Sequence, residues 1–383
     1  MKKQLLLLFL SVFFIASSFS QSQRTAPGFV FHNHEGWYKY ADVFVRDLHF
    51  IMNDQYNNFA EFNGSDEYEE YEESRRNFYQ LDSVSISEEN PDFSSEDGVM
   101  YDKNKTTLLF CPQAKHGKLI LPKSVRKIQY SAFYKCKYLT AVVLNDSIHF
   151  KSAEEFSNYF SFSFSFANNE PSPPIEVSEN NPYYISQEGV LYNKDKTQII
   201  YHYNPIKSKI NEKPVIHIPN TVRKIRDYNF NLFYATIKLA KSNSIKSIGY
   251  KAFAGCGIDT VFLDSITTMS NGAFEYCTNL ESVVIASDSL NAIPAYTFSW
   301  CTNLESVTIS KSIAEIGLNA FKNCICLKEM TVAWDTPLKL KKDYKIFEGV
   351  KLSSCTLHVP KGTKKAYKEA EGWKDFGHIV EVQ

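Results

Sequence analysis

The sequence predicts a mainly β repeat solenoid, and three observations carry that expectation. An Ala-Phe or Thr-Phe dipeptide returns at Phe253, Phe274, Phe298 and Phe321, at intervals of 21, 24 and 23 residues. A Cys follows each Phe by three positions, at Cys256, Cys277, Cys301 and Cys324. Behind three of those Cys comes an apolar triplet at constant spacing: Leu280, Val283, Ile285; Leu304, Val307, Ile309; and Leu327, Met330, Val332. The last two members of each triplet alternate with period 2, as a short strand burying one face does. A single coil cannot bury its own apolar side, so coils must stack, and stacking builds a parallel sheet. The recurring Phe would fill the wide back of each coil, where an aliphatic side chain would leave voids.

Taken along the chain, residues 1–20 read as a signal peptide. Lys2 and Lys3 precede an apolar run from Leu5 to Ile15, and Ser18 and Ser20 set up cleavage between Ser20 and Gln21. That run is too short to span a ~30 Å hydrocarbon core as a helix. Residues 21–82 hold no repeat and read as an N-terminal cap or variable region, with Trp37, Tyr38 and Phe44 available to cover the first coil. Its acidic run from Asp66 to Glu73 is either a solvated loop or a site for a cation or basic partner. Residues 83–145 form the first repeat segment, with one complete coil at Val125, Ile128, Ala132, Phe133, Cys136, Leu139, Val142 and Leu144.

A second duplication is independent of the coils. Asp97-Gly98-Val99-Met100-Tyr101 recurs ninety-one residues later as Glu188-Gly189-Val190-Leu191-Tyr192, each copy followed by Lys and Thr and by an apolar run. Both copies read as hairpin insertions between coils. In residues 146–174, Phe160, Phe162, Phe164 and Phe166 alternate with Ser, either as a degenerate coil or as an exposed ribbon. Residues 175–337 form the main array with the second insertion. Residues 338–383 read as a cap in which Thr363 starts a short helix with Tyr367, Trp373 and Phe376 cover the last coil, and Ile379 to Val382 add a final strand.

A repeat of this length carrying L-x-x-V-x-I is a leucine-rich repeat pattern. The fold class is therefore a leucine-rich repeat solenoid: a right-handed coil with a parallel sheet, β-hairpin insertions and a small helical C-terminal cap. The chain resembles the BspA-like leucine-rich repeat family of bacterial secreted and surface proteins. The resemblance rests on Ile218-Pro219-Asn220-Thr221-Val222, on the Phe/Cys series, on Glu188 to Thr197, and on Cys355 to Gly362 followed by Tyr367 and Trp373. It implies a secreted, cell-surface or periplasmic protein that binds other proteins, host matrix proteins in some members, and it implies no enzyme activity.

Composition bounds the remaining possibilities. The 383 residues carry 42 basic and 43 acidic side chains, so bulk attraction to nucleic acid is not expected. Eight Cys are too sparse for a disulfide-stapled mini-scaffold, and the periodic ones read as small buried residues stacked coil on coil, an oxidised pair being the alternative. No nucleophile, metal-protease, dinucleotide or phosphate-loop motif is present, so no catalytic residue, cofactor or metal is expected. His32-x-His34-Glu35 is the one cluster of metal-ligand types and lies near the mature terminus. The expected function is a non-catalytic binding or adhesion scaffold for a host extracellular-matrix or cell-surface protein. The competing class is an enzyme or glycan-processing accessory with active residues in 21–82. Outward positions on the regular strands define the candidate binding surface: Ala141, Val143, Ser282, Val284, Ser306, Thr308, Glu329 and Thr331. The hairpins around Tyr101 and Tyr192 are the fallback site.

Overall fold

A computed structural model describes residues 29–33 and 36–38, as backbone strands, together with 81–129, 132–133, 136–150, 155–156, 173–202, 214–231 and 235–382. The proposed signal peptide, the acidic run of 66–73 and the alternating Phe/Ser segment lie outside the described residues. The chain divides into two compact units, Met1–Phe164 and Ser165–Gln383. The described residues of each include parallel β coils.

In the second unit the apolar triplets form the rungs of a parallel sheet. Thr260–Leu263, Ser282–Ile285, Ser306–Ile309, Glu329–Val332, Thr356–Pro360 and His378–Val382 are consecutive neighbours in it. The register aligns like with like, so that Val261, Val283, Val307 and Met330 are successive partners, as are Leu263, Ile285, Ile309 and Val332. All eight are buried, as the period-2 reading requires. Val215–Ile218, Thr236–Leu239 and Gly257–Ile258 form a shorter parallel sheet ahead of it. The break falls at Asp259, where the repeat is one residue short, and an ion pair from Lys238 to Asp259 ties the two strands.

The apolar pairs that precede each Phe also become strands. Lys224–Ile225, Ser247–Ile248 and Thr268–Met269 pair in parallel, and Ala292–Ile293 pairs with Glu315–Ile316. Between the two strand sets sits the Phe column. Phe230, Phe253, Phe274, Phe298 and Phe321 are fully buried. Successive rings stack at centroid distances of 5.2 to 5.6 Å and within 15° of parallel.

The corner that holds each Phe is built by a third backbone ladder. Every second amide donates to the next coil: Gly272 to Ala295, Phe274 to Thr297 and Tyr276 to Ser299, each at 2.9 Å. Aiming alternate N–H groups in one direction along the stack requires left-handed residues two positions before and two after the Phe. Gly272, Gly255, Asn319 and Asn323 take that conformation at little cost. Tyr228, Tyr276, Tyr296 and Trp300 also take it, at φ of 54°, 59°, 59° and 61°. Left-handed backbone costs such bulky residues about 1–2 kcal/mol each.

The two expected hairpins are present, and each is extended by a third strand. Phe93–Glu96, Val99–Asp102 and Thr107–Phe110 form one antiparallel meander, and Tyr184–Gln187, Val190–Asn193 and Ile199–His202 form the other. Asp97-Gly98 and Glu188-Gly189 turn with positive φ at both residues, the type I′ geometry that matches strand twist. An Asn precedes each meander in the same place: Asn90 and Asn181 are buried, and their side-chain oxygens accept the amides of Phe93 and Tyr184 at 2.9 Å. The third strand of each meander is also a rung of the stack. Thr107–Phe110 pairs in parallel with Lys127–Ile128, and Gln198 bridges Lys224 in the same sense. Tyr101 and Tyr192 point into the core at 0% and 1% exposure, so neither ring is presented at the surface of its hairpin.

The C-terminal helix runs over Lys364–Glu369, but Thr363 does not cap it as expected. Its hydroxyl donates back to the Pro360 carbonyl at 2.7 Å instead, closing the preceding turn. Tyr367 is buried and donates to the Trp334 carbonyl at 2.8 Å, while the Trp373 indole N–H donates to Leu338 at 2.7 Å. Trp373 and Phe376 stand edge-on to Phe347, so the Phe column ends under an aromatic lid. His378–Val382 then adds the last parallel strand.

Candidate functional site

The outer face of the six-stranded sheet collects six of the eight candidate residues. Ser282 pairs with Ser306 and Ser306 with Glu329; Val284 pairs with Thr308 and Thr308 with Thr331. Ser282, Val284, Ser306, Thr308 and Thr331 are half-buried and Glu329 is exposed. The Ser306 hydroxyl donates to the Ser282 hydroxyl at 3.0 Å, which fixes the first row across two coils. Ala141 and Val143 belong to the strand Leu139–Leu144 of the first unit and so are not part of these rows.

Ala141 also corrects the expectation directly. It is buried, at 3% exposure, whereas the preceding Thr140 is exposed. The pairing register slips beside it, Gly117 opposing Leu139 and Lys118 opposing Ala141, so the strand carries one extra residue there. A single methyl at such a bulge is too short to stand clear of the sheet.

The rows run further than the sequence pattern suggested. Phe262 continues the Val284 row at one end, and His358 and Val380 continue it at the other. The C-T-L-H-V-P alternation around His358 held that signal, while Phe262 was hidden by the shortened repeat. Apart from Glu329, which stands in the first row, the charged pairs lie at the edge of this face. Asp259 pairs with Lys238, and Glu305 lies 2.6 Å from Lys328. The Lys238 ammonium, partly opposed by burial, holds the Asp259 carboxyl below its usual range. His358 reaches Glu329 at 4.0 Å. What the face offers is a flat, mostly uncharged strip of hydroxyls and methyls bordered by neutralised charge.

The cysteines are elsewhere, under the Phe corner. Cys256, Cys277, Cys301, Cys324 and Cys355 are buried free thiols. Each of Cys277, Cys301 and Cys324 donates its S–H to the carbonyl of the Phe one coil back, at 3.0 to 3.1 Å. Burial, reinforced by the neighbouring Cys277 and Cys324, pushes the Cys301 thiol well up, and burial pushes Cys324 up to about 12. Cys301 and Cys324 are thereby held in the protonated thiol form, the weaker nucleophile. Among the described residues no three His, Cys, Asp or Glu converge as a metal site.

These features define a parallel β-solenoid repeat protein with one smooth sheet face. Residues 109–172 and 207–328 match the BspA type leucine rich repeat region in 6 copies. Over those residues the chain carries BspA type leucine-rich repeats, which supports its resemblance to the BspA-like family. No curated protein matches it. Among solved structures it is similar to a leucine-rich repeat protein from Eubacterium ventriosum, at 20% identity and a TM-score of 0.43, over 61% of this chain and 64% of that one. It is also similar to the pneumococcal vaccine antigen PcpA, at 19% identity and a TM-score of 0.41, over 70% and 68% of the two chains. A leucine rich cell surface protein from Faecalibacterium prausnitzii aligns at 14% identity and a TM-score of 0.37, over 78% and 96%. The chain thus spans just under two thirds of the length of the first of these. Repeat scaffolds of this family commonly mediate protein binding. No helix among the described residues is long and apolar enough to cross a membrane.

Proposed function

We propose that this protein is an exported, non-catalytic scaffold that binds a host extracellular-matrix or cell-surface protein through the outer face of its main parallel sheet. The observation that carries the reading is the registered pair of rows Ser282–Ser306–Glu329 and Val284–Thr308–Thr331. Short and β-branched side chains lose little rotamer freedom when covered, and they let a partner's backbone approach closely. Across the central strands alternation turns Val283, Ile285, Val307, Ile309, Met330 and Val332 to the inner face, leaving the shorter side chains outside. Export rests on the Leu5 to Ile15 run and the small residues before Gln21.

The test is capture from host extracellular-matrix and cell-surface fractions by the wild-type chain and by Thr308→Arg combined with Thr331→Glu. These two positions are direct neighbours across adjacent strands, so the new charges pair and leave the fold intact. The expected result is loss of capture with an unchanged melting temperature. Capture that survives the double substitution removes the sheet face as the binding surface.

A further inference from the structure

The first meander passes its chain to the coil stack at Cys111. The Cys111 amide donates to the Ala132 carbonyl at 2.9 Å, as the Phe253 amide donates to Ala273 at 2.8 Å and the Phe274 amide to Thr297 at 2.9 Å. Cys111 therefore stands in the Phe position of its coil. One coil on, Cys136 donates its S–H to the Cys111 carbonyl at 3.3 Å, the bond that Cys277 makes to Phe253. A Cys in the Phe position leaves that corner without a ring and sets two sulfurs side by side. Both are fully buried, and both reach the Pro112 carbonyl, Cys111 Sγ at 3.8 Å and Cys136 Sγ at 3.6 Å. Burial first, then a hydrogen bond to the Cys111 side chain and its charge, push the Cys136 thiol well up. Successive coils lie ~4.8 Å apart, inside the Cα separation that a disulfide bridges.

The second meander shows that the fold requires neither sulfur. His202 follows Glu188-Gly189 at the distance at which Cys111 follows Asp97-Gly98, and its ring stacks on Phe230 at 5.0 Å. Three residues after Phe230 the sequence has Phe233, where Cys136 follows Phe133. One copy of the module thus has both Cys and the other has neither. Packing alone would let the two positions vary separately, whereas a covalent pair is kept or lost together.

We propose that Cys111 and Cys136 are a disulfide pair that locks the first meander onto the first complete coil. Such bonds persist in oxidising compartments, so the pair rests on the export proposed above. The chemistry is thiol–disulfide exchange with a disulfide donor of that compartment: one Cys, as its thiolate, attacks the donor, and the other displaces the donor from the mixed disulfide. One S–S bond forms in the protein and one breaks in the donor, and the two electrons and two protons leave on two donor thiols. Because Cys136 is buried and protonated in the closed coil, the bond forms during folding. Cys277, Cys301 and Cys324 differ in that each donates to the carbonyl of a separate Phe, and they stay reduced.

The experiment is refolding of the full chain from urea in oxidised and reduced glutathione, then blocking of the remaining thiols and mass spectrometry of a non-reduced digest. A linked Cys111–Cys136 peptide, two hydrogens lighter than its parts, is expected, with Cys277, Cys301 and Cys324 recovered as blocked thiols. The oxidised chain should melt about 5 °C or more above the chain refolded under reductant, since the bond restricts the unfolded state. Cys111→His, which copies the second meander, and Cys136→Ala should each melt at one temperature with or without oxidant. The wild-type comparison stands even if a variant fails to fold. Absence of the linked peptide from the oxidised wild type overturns the proposal, as does linkage of either Cys to a different partner. An oxidised chain that melts no higher than the reduced one overturns it too. Refolding in glutathione does not depend on export, so a bond formed there but missing from chain recovered from the producing cells would count against export and uphold the pair.

Discussion

The thiol of Cys301 donates to the carbonyl oxygen of Phe274 at 3.1 Å, a carbonyl that already accepts the amide of Cys277. One carbonyl thus closes the turn of its own coil and receives the next coil's sulfur on its second lone pair. The same relation joins Cys277 to Phe253 and Cys324 to Phe298. It gives the periodic Cys a physical reason. Ala would leave that lone pair unused, whereas the thiol fills an apolar space and still supplies a weak donor.

Buried, protonated thiols should be unreactive. Native protein at neutral pH is expected to leave Cys277, Cys301 and Cys324 unlabelled by a thiol reagent, with full labelling only after denaturation. Rapid modification of any of the three in the native state, located by mass spectrometry, would show that the corner opens.

Cys324 ties stability to alkaline pH. Burial raises Cys324 from its ordinary value of 9.0 to about 12, so above pH 9 the unfolded chain releases a proton that the folded chain retains. The unfolded state then binds fewer protons, and folding free energy falls as pH rises, by about 1.4 kcal/mol per pH unit for each fully protected thiol. Below pH 9 the contribution is complete. Urea midpoints measured from about pH 8 to about pH 10.5 should fall less steeply in Cys324→Ala than in wild type. Equal slopes would mean that Cys324 ionises freely in the folded protein.

The Phe column should carry much of the cohesion between coils. Phe274→Ala and Phe298→Ala each remove a fully buried ring stacked on both sides, and each should cost about 3–5 kcal/mol. Equilibrium urea unfolding measures this, and a midpoint within error of wild type for either variant would place the ring outside the core.

Close coil-to-coil approach makes a different demand at Gly317. A methyl there would sit 2.5 Å from the Ala295 nitrogen and 2.7 Å from the Pro294 carbonyl carbon, both backbone atoms of the preceding coil. Gly317→Ala should therefore cost about 1–3 kcal/mol through forced separation of the two coils. By contrast Gly362, with φ +82°, has nothing within 4 Å of its missing methyl, so Gly362→Ala should show backbone strain without a clash. Thermal melts that rank Gly362→Ala as the more damaging of the two would contradict this account.

The repeat register was readable from the residues alone. Phe274, Cys277, Leu280, Val283 and Ile285 take the burial that their spacing implies, because alternation and repeat length constrain a strand whatever lies beside it. The meanders were readable in part: Asp97-Gly98 marks a turn locally, but whether the following strand ends the insertion or becomes a rung depends on Lys127, twenty residues on. What only the tertiary structure decided is everything that depends on what a neighbouring coil presents. Ala141 is buried by a slipped register, Tyr101 and Tyr192 turn inward on strands whose partners set their face, and Thr363 gives its hydroxyl to Pro360 instead of to the helix. The left-handed backbone under Tyr276 and Trp300 belongs to the same group. Nothing in Tyr or Trp favours it, and it exists because the amides there must reach carbonyls of the next coil, at Ser299 and Lys322. Spacing within a repeat is a local property that a sequence displays; the direction of a backbone amide is set by the acceptor a whole coil away.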